Sequence, residues 1–171
     1  MKYILILTLI LIGCSDGSGS GSATKKSIIA IGDSLCAAGW PLLLNDYDVD
    51  NRCIGGQGLV GSAWGIIYQH EYKYADHTII ALGGNDAIAG IDPDSFELAY
   101  RSLVNVVSNP ICLLPPLTNH LEIAALIIEY RSRIITFCPV ILYSTPSDGE
   151  DGIHYTDEAH RINADTILSA I

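Results

Sequence analysis

Apolar residues in this chain form short continuous runs, separated by longer amphipathic stretches. Five runs bounded by turn residues predict strands at 27–31, 48–54, 77–82, 110–114 and 139–143. The first, third and fifth are continuously apolar, which is typical of parallel strands covered on both faces. Helical periodicity occupies 94–107, 119–136 and 156–171 between and after them. Strands that alternate with helices predict an α/β fold, with a parallel sheet between two helical layers.

Each predicted helix carries a start signal or an apolar stripe. Asp92 and Pro93 are typical of an N-cap and of the first helical position, and Thr156 can cap the last helix. The middle helix has an apolar stripe that predicts its buried face, formed by Leu121, Ala124, Ala125, Ile128 and Ile135. The last helix has a similar stripe, formed by Ile162, Ile167 and Leu168. These signals predict where each helix begins and which of its faces is buried.

The first residues are typical of an export signal. Met1-Lys2-Tyr3 precedes an apolar run, Ile4 to Ile12, that is too short for a bilayer span of about 20 residues. Leu11-Ile12-Gly13-Cys14 resembles a bacterial lipobox, with Cys14 as the lipid-bearing N-terminus after cleavage; an ordinary secretory signal is the alternative. We therefore expect a lipoprotein signal at 1–13, the lipidated Cys and a Gly/Ser tether at 14–26, and a folded domain at 27–171. We expect the domain to be exported and held at a bacterial membrane, at the periplasmic face or the cell surface, through the lipid alone.

The composition of the chain narrows the choice of partners. A chain of 171 residues with 49% hydrophobic residues can build one domain. Its net charge of −10, with only nine Lys and Arg, argues against nucleic acid, because phosphate binding needs clustered cations. No Cys pair has the C-x-x-C spacing and no His pair has ligand spacing, so we expect no metal site. The oligomeric state is open.

Three short polar motifs carry the chemistry of acyl transfer. Gly32-Asp33-Ser34-Leu35 follows the first strand, Gly83-Gly84-Asn85-Asp86 follows the third, and Asp151-Gly152-Ile153-His154 precedes the last helix. A serine, a histidine with an aspartate three residues before it, and an amide donor are the groups that form a nucleophile, its base and an oxyanion hole. Open α/β sheets bind ligands at the carboxyl ends of their strands, which is where these motifs fall.

In this order the motifs resemble the SGNH/GDSL hydrolase family over roughly residues 27 to 160, with Asn51 to Gln57 as the second block. The resemblance implies a flavodoxin-like, three-layer α/β/α sandwich on a five-stranded parallel sheet. It also implies Ser34 as nucleophile, His154 as base and Asp151 as the group that orients it. The N–H groups of Ser34 and Gly56 and the amide of Asn85 would form the oxyanion hole. No cofactor is required.

Each of these residues also has a simpler interpretation. Ser34 can be an N-cap, Asn85 a turn residue, and the Asp151–His154 pair a surface turn. Neighbouring carboxylates at Asp148, Glu150 or Asp157 can replace Asp151, and His160 is a second histidine nearby. Gly56 is preferred to Gly55 by alignment of Asn51 with the family's usual Asn, but Cys53 stands where a small residue is typical. Trp64, Tyr68, Tyr72 and Tyr74 can line a sugar cleft or belong to the core.

The resemblance predicts a carboxylic ester hydrolase, whose substrate is a small-molecule or glycan ester. Because the chain has no long apolar insertion to cover a fatty tail, an acetyl ester on a carbohydrate is the first choice. The alternatives are a lysophospholipase or thioesterase, an acyltransferase to a sugar, and a binding lipoprotein that has lost catalysis. All three motifs are complete, which favours an enzyme.

Four cysteines besides Cys14 remain, and an exported protein meets an oxidising compartment. They can form disulfides in three connectivities or stay buried thiols. The family's sheet order, 2-1-3-4-5, makes the first and second strands neighbours, and likewise the fourth and fifth. We therefore expect disulfides Cys36–Cys53 and Cys112–Cys138.

Overall fold

Five parallel strands form the centre of the protein. The structure is a computed structural model and describes residues 24–37, 39–63 and 74–171. The strands are β1 (Ser27–Gly32), β2 (Asp48–Asn51), β3 (His77–Ala81), β4 (Pro110–Leu114) and β5 (Val140–Tyr143). They form one sheet in the order β2-β1-β3-β4-β5, and every neighbouring pair is parallel. The predicted sheet order is therefore confirmed.

Helices follow most of the strands and cover both faces of the sheet. They are α1 (Ser34–Ala37), α2 (Gly84–Ile88), α3 (Pro93–Val106), α4 (Leu121–Ile134) and α5 (Asp157–Leu168), with a 3₁₀ turn at Trp40–Leu43 and a π-type turn at Leu59–Ala63. As expected, the Asp92 side chain caps α3 and that of Thr156 caps α5. No helix in the described ranges combines the length and apolarity needed to cross a bilayer.

The two faces of the sheet carry separate cores, because successive strand side chains point in opposite directions. Ile29, Ile31 and Ile80 pack with α3 and α4 on one face. On the other face, Ile28, Ala30 and Ile79 pack with Trp40 and with Ala164 and Ile167 of α5. The layers are those of the α/β/α sandwich that the sequence predicts.

The buried face of α4 differs from the predicted one. Leu121, Ile128 and Ile135 are 86%, 58% and 47% exposed, whereas Ile127, Tyr130 and Ile134 are buried. The first two turns are apolar nearly all round, so several stripes have helical spacing, and contact with the sheet decides which one is buried. The stripe predicted for the last helix is also only partly right, because Ile162 and Leu168 are exposed and Ile167 alone of the three lies in the core.

Strand β2 is shorter than the sequence predicts and ends at Asn51. The Asn51 Oδ1 accepts the N–H of Cys53 at 3.1 Å, a local turn that competes with the strand ladder. The chain nevertheless stays beside β1, because the N–H groups of Arg52 and Ile54 donate to the carbonyls of Ala30 and Gly32. The second block is thereby held next to the end of β1.

Two disulfides join the pairs that the sheet order implied. Cys36–Cys53 connects α1 to the segment after β2, with Cα atoms 5.5 Å apart. Cys112–Cys138 connects β4 to the segment before β5, with Cα atoms 6.4 Å apart. The first disulfide lies between the turn that carries Ser34 and the second block, so it braces two parts of the candidate site.

Candidate active site

A hydroxyl, an imidazole and a carboxylate form a continuous chain at the carboxyl edge of the sheet. The Oγ of Ser34 lies 3.0 Å from Nε2 of His154. The Nδ1 of His154 lies 2.5 Å from Oδ2 of Asp151. An ionised carboxylate only accepts hydrogen bonds, so Nδ1 carries the ring proton and Nε2 is free to accept one from Ser34. This is the arrangement of a nucleophile with its base.

Asp33 fixes the turn that presents Ser34. Its side chain is 2% exposed, and its Oδ1 accepts the N–H of Leu35 at 3.0 Å. The backbone oxygen of Asp33 accepts from Cys36 and Ala37, which starts α1 directly after β1. Burial raises the pKa of Asp33 to about 6, and hydrogen bonds from the N–H groups of Leu35 and Asn85 oppose that rise. A buried carboxylate therefore ties the Ser34 turn to α2.

Asp86 is a second buried carboxylate, and it holds the segment that follows the second block. Its side chain is 1% exposed. Its two carboxylate oxygens accept the N–H groups of Leu59 at 2.8 Å and Val60 at 2.9 Å. Gly58 leaves the room for this contact, since a Cβ there would lie 3.0 Å from Asp86 Oδ1. Asp86 thus fastens the segment after β2 to α2, one residue from Asn85.

Asn85 lies at the start of α2, and its amide points toward the second block. The Nδ2 of Asn85 donates to the backbone oxygen of Gln57 at 3.0 Å. An amide NH₂ has two hydrogens, so this bond orients the group and leaves a second N–H to donate. Gly83 allows the turn into α2, because its φ of 122° is unfavourable for residues with a Cβ, which would also lie 3.1 Å from Phe96.

The two glycines of the second block lie differently relative to Ser34. A Cβ on Gly55 would lie 3.8 Å from the Cβ of Ser34, whereas a Cβ on Gly56 would meet no atom within 4 Å. Gly56 has a φ of 76°, which favours glycine. Gly55 therefore lies against the serine, and the choice of Gly56 as the oxyanion donor stays a prediction.

The loop that carries His154 is built from local hydrogen bonds. Asp151 Oδ1 accepts the N–H groups of Ile153 and His154, both at 2.9 Å. These bonds, led by the one from the His154 backbone, hold the pKa of Asp151 well below its usual range. Two residues of the segment before α4 also contact the backbone of this loop. The Thr118 hydroxyl donates to the backbone oxygen of Gly152 at 2.6 Å, and His120 Nε2 lies 3.1 Å from the backbone oxygen of Asp151. The side chains of Asp151 and His154 are nevertheless 50% and 51% exposed.

The alternative partners of the histidine have other positions. The Asp148 carboxylate accepts the N–H and hydroxyl of Thr156, where α5 begins. His160 packs edge-on against Tyr155, and burial lowers its pKa. In the described part of the chain the hydrogen bonds to the His154 ring come from Ser34 and Asp151. Asp151 is therefore the carboxylate that orients this imidazole.

Some sequence candidates lie outside the described part of the chain. Cys14 and the 1–23 segment, with Trp64, Tyr68 and Tyr72, lie outside the described residues. Tyr74 is described and is 80% exposed. Among the described residues, no group of three His, Cys, Asp or Glu is arranged to hold a metal ion.

Sequence reasoning missed the two buried aspartates. Asp33 and Asp86 each stand beside a candidate catalytic residue, and each follows an apolar strand within a few residues. A carboxylate in that position needs several N–H donors, since a buried charge without them is costly. That requirement could have identified both residues from the sequence, because it predicts that each carboxylate accepts hydrogen bonds from a nearby backbone segment.

Part of the chain is similar in sequence to known proteins. No protein-family model matches the chain. The thioesterase 1/protease 1/lysophospholipase L1 of Escherichia coli K12 is 31% identical over 102 residues, covering 50% of this chain and 47% of that protein. The chain thus spans about half the length of the curated relatives it matches.

Solved structures match over most of the chain. A protein described as lipolytic and of the G-D-S-L family, from Desulfitobacterium hafniense, has a TM-score of 0.67 at 17% identity, covering 85% of this chain and 99% of that one. An acetylxylan esterase from Geobacillus stearothermophilus has a TM-score of 0.63 at 16% identity, covering 85% and 94%. The chain therefore has the fold of the GDSL/SGNH hydrolases, and the resemblance is confirmed at that level.

Proposed function

We propose that the protein is a serine esterase that hydrolyses carboxylic esters through an acyl-enzyme. The observation that carries the proposal is the hydrogen-bonded chain from Ser34 through His154 to Asp151, with 3.0 Å between Ser34 Oγ and His154 Nε2. The fold shared with esterases and the complete set of motifs support it.

The reaction needs one proton carrier. As Ser34 Oγ bonds to the ester carbonyl carbon, His154 Nε2 takes the hydroxyl proton, and Asp151 stabilises the imidazolium. The Ser34 N–H, a glycine N–H from residues 55–56 and the second Asn85 N–H stabilise the oxyanion. His154 then gives its proton to the leaving alcohol as the ester C–O bond breaks. In the second half, His154 takes a proton from water, the resulting nucleophile attacks the acyl-enzyme, and Ser34 leaves with that proton.

We also propose that the natural substrate is a small acyl ester on a carbohydrate. The acetylxylan esterase among the structural neighbours supports this choice. The thioesterase/lysophospholipase relative favours longer acyl chains and thioesters, which makes that activity the second candidate. A transferase would use the same acyl-enzyme but pass the acyl group to a sugar hydroxyl.

A substrate panel tests these proposals. Purified protein is given p-nitrophenyl esters, an acyl-CoA and acetylated xylooligosaccharides, with Ser34→Ala as the matched control. We expect hydrolysis of short esters and release of acetate from the glycan, both absent in Ser34→Ala. Transfer of acetate to an added acceptor sugar would identify a transferase. Wild-type protein inert toward every ester, and unlabelled at Ser34 by a fluorophosphonate, would refute the esterase proposal.

The location is a separate proposal, carried by Leu11-Ile12-Gly13-Cys14. We propose that lipid on Cys14 holds the exported domain at a bacterial membrane, at the periplasmic face or the cell surface. The protein should then partition into the detergent phase of Triton X-114, and Cys14→Ser should move it to the aqueous phase. A mature protein whose mass includes no lipid on Cys14 would contradict this.

A further inference from the structure

An apolar cavity opens beside the candidate catalytic groups. It is walled by one chain neighbour of three of them, namely Leu35 after Ser34, Gly84 before Asn85, and Ile153 before His154. The remaining apolar wall comes from Ile88, Pro116, Ile123 and Ile127. The cavity therefore adjoins the three segments that carry these groups.

The cavity suits hydrocarbon and little else. Its polar lining side chains are Thr118 and Ser147, and each is already engaged, Thr118 with the oxygen of Gly152 and Ser147 with that of Ile153. An apolar site of this kind gains affinity by removing hydrocarbon from water. In an ester substrate, the acyl chain is the part attached to the attacked carbon that can meet this requirement.

The cavity is also short. Its free space holds about one or two water-sized groups. The side chain of Ile127, which is 2% exposed, belongs to the closed part, whereas Ile88 is 48% exposed and stands at the mouth. Leu35, Gly84 and Pro116 also wall a second small space, which the buried residue Asp33 helps to line. A longer chain would have to displace Ile127 or approach Asp33.

We infer that this cavity is the acyl subsite of the enzyme and that Ile127, supported by Ile123, limits it to acyl chains of about two or three carbons. The inference rests on the proposed function, since it assigns one part of that substrate. It separates a short-chain esterase from a lysophospholipase on the basis of the wall itself. The specificity-determining residues are then those of α4, an element that supplies none of the candidate catalytic groups.

The test varies the acyl chain and the wall together. kcat/KM is measured for p-nitrophenyl acetate, butyrate, hexanoate and octanoate, which share one leaving group. Ile127→Ala and Ile123→Ala enlarge the cavity, and Ile128→Ala, 58% exposed on the same helix, is the matched control. Far-UV circular dichroism and thermal melting report folding. Because Ile127→Ala removes a buried side chain, Ile127→Val and Ile123→Ala carry the test if it fails to fold.

We expect wild-type kcat/KM to fall at least about tenfold from butyrate to octanoate. Ile127→Ala should raise the ratio of hexanoate to acetate by about tenfold, with a smaller rise in Ile123→Ala and Ile127→Val and none in Ile128→Ala. Wild-type protein that cleaves octanoate as well as acetate, or folded cavity variants with an unchanged ratio, would overturn the subsite while leaving the esterase intact. Absence of all ester cleavage together with an unreactive Ser34 would instead overturn the proposed function.

Discussion

The two halves of the candidate site are held in place by different forces. The half that carries Ser34 and Asn85 is fastened by Asp33 and Asp86, which are 2% and 1% exposed. The half that carries His154 is an exposed loop, fastened by Asp151 and by contacts from Thr118 and His120. Hydrogen bonds to a buried charge are strong and costly to leave unmade, whereas exposed ones compete with water.

This difference separates catalysis from stability. A change in the nucleophile half removes partners from buried groups and should destabilise the fold. A change in the histidine half should alter turnover while leaving the free energy of unfolding nearly unchanged. The four predictions below test that separation.

The largest effect is expected where the two halves meet. Ser34→Ala and His154→Ala should each lower kcat/KM for the best ester by about 10⁴, and the double variant should lose little more, because the two residues act as a unit. Steady-state kinetics on folded protein provide the measurement, with Ser132→Ala as an exposed control. Losses that multiply in the double variant would contradict a joint role.

Asp86→Asn should act mainly on stability. The N–H groups of Leu59 and Val60 bond to different oxygens of the carboxylate, and in Asn one of those oxygens becomes an NH₂ donor, so one backbone N–H loses its acceptor. We expect the free energy of unfolding to fall by about 3 kcal/mol in denaturant titrations. The exposed Asp165→Asn is the control and should change it by less than about 0.5 kcal/mol. Equal stability in the two variants would remove the distinction between the halves.

Asp33 should leave a signature in the pH dependence of stability. Its folded pKa is raised from 3.8 to about 6, so between these values the folded state holds a proton that the unfolded chain has released. Its contribution to stability is therefore fully present below about pH 4 and is lost as pH rises through 6.

Asp33→Asn cannot titrate, so its stability relative to wild type should improve by up to about 3 kcal/mol from pH 4 to pH 7. Urea unfolding at a series of pH values measures this, again with Asp165→Asn as control. A constant difference between wild type and Asp33→Asn across that window would show that Asp33 does not titrate as described.

Asp151→Asn should produce the smallest free-energy change of the four and act on turnover. The amide oxygen still accepts from Ile153 and His154, so the loop keeps its shape, but the charge that stabilises the imidazolium is gone. Because the pair is half exposed, we expect about a 30-fold loss in kcat, roughly 2 kcal/mol. The free energy of unfolding should stay within about 0.5 kcal/mol, as in the exposed control Glu150→Gln. A large loss of stability would place the histidine half with the buried one.

The sequence predicted the positions of the strands better than it predicted the buried faces of the helices. All five strands were predicted within a few residues, and the apolar runs of β1 and β3 are buried on both faces, which leaves little freedom in composition. The fifth run is also continuously apolar but forms the edge strand β5, where Val140 and Tyr143 are exposed, so its predicted burial on both faces was wrong. The stripe of α4 was wrong, because Leu121 and Ile128 have the same spacing as the residues that are buried. The spacing of apolar residues predicts that the helix has a buried face, but only contact with the sheet decides which face is buried.

The sequence by itself determined the sheet, its flanking helices, the positions of Ser34, Asn85, Asp151 and His154 at strand ends or beside the last helix, and the resemblance that orders them. These follow from local periodicity and from motifs of neighbouring residues. Tertiary structure alone decided that Asp33 and Asp86 bond to segments of the site, that Gly55 lies against Ser34, and that Ile127 lines the apolar cavity. Those contacts join residues from separate elements, and their distances depend on how the layers pack, which no local pattern specifies.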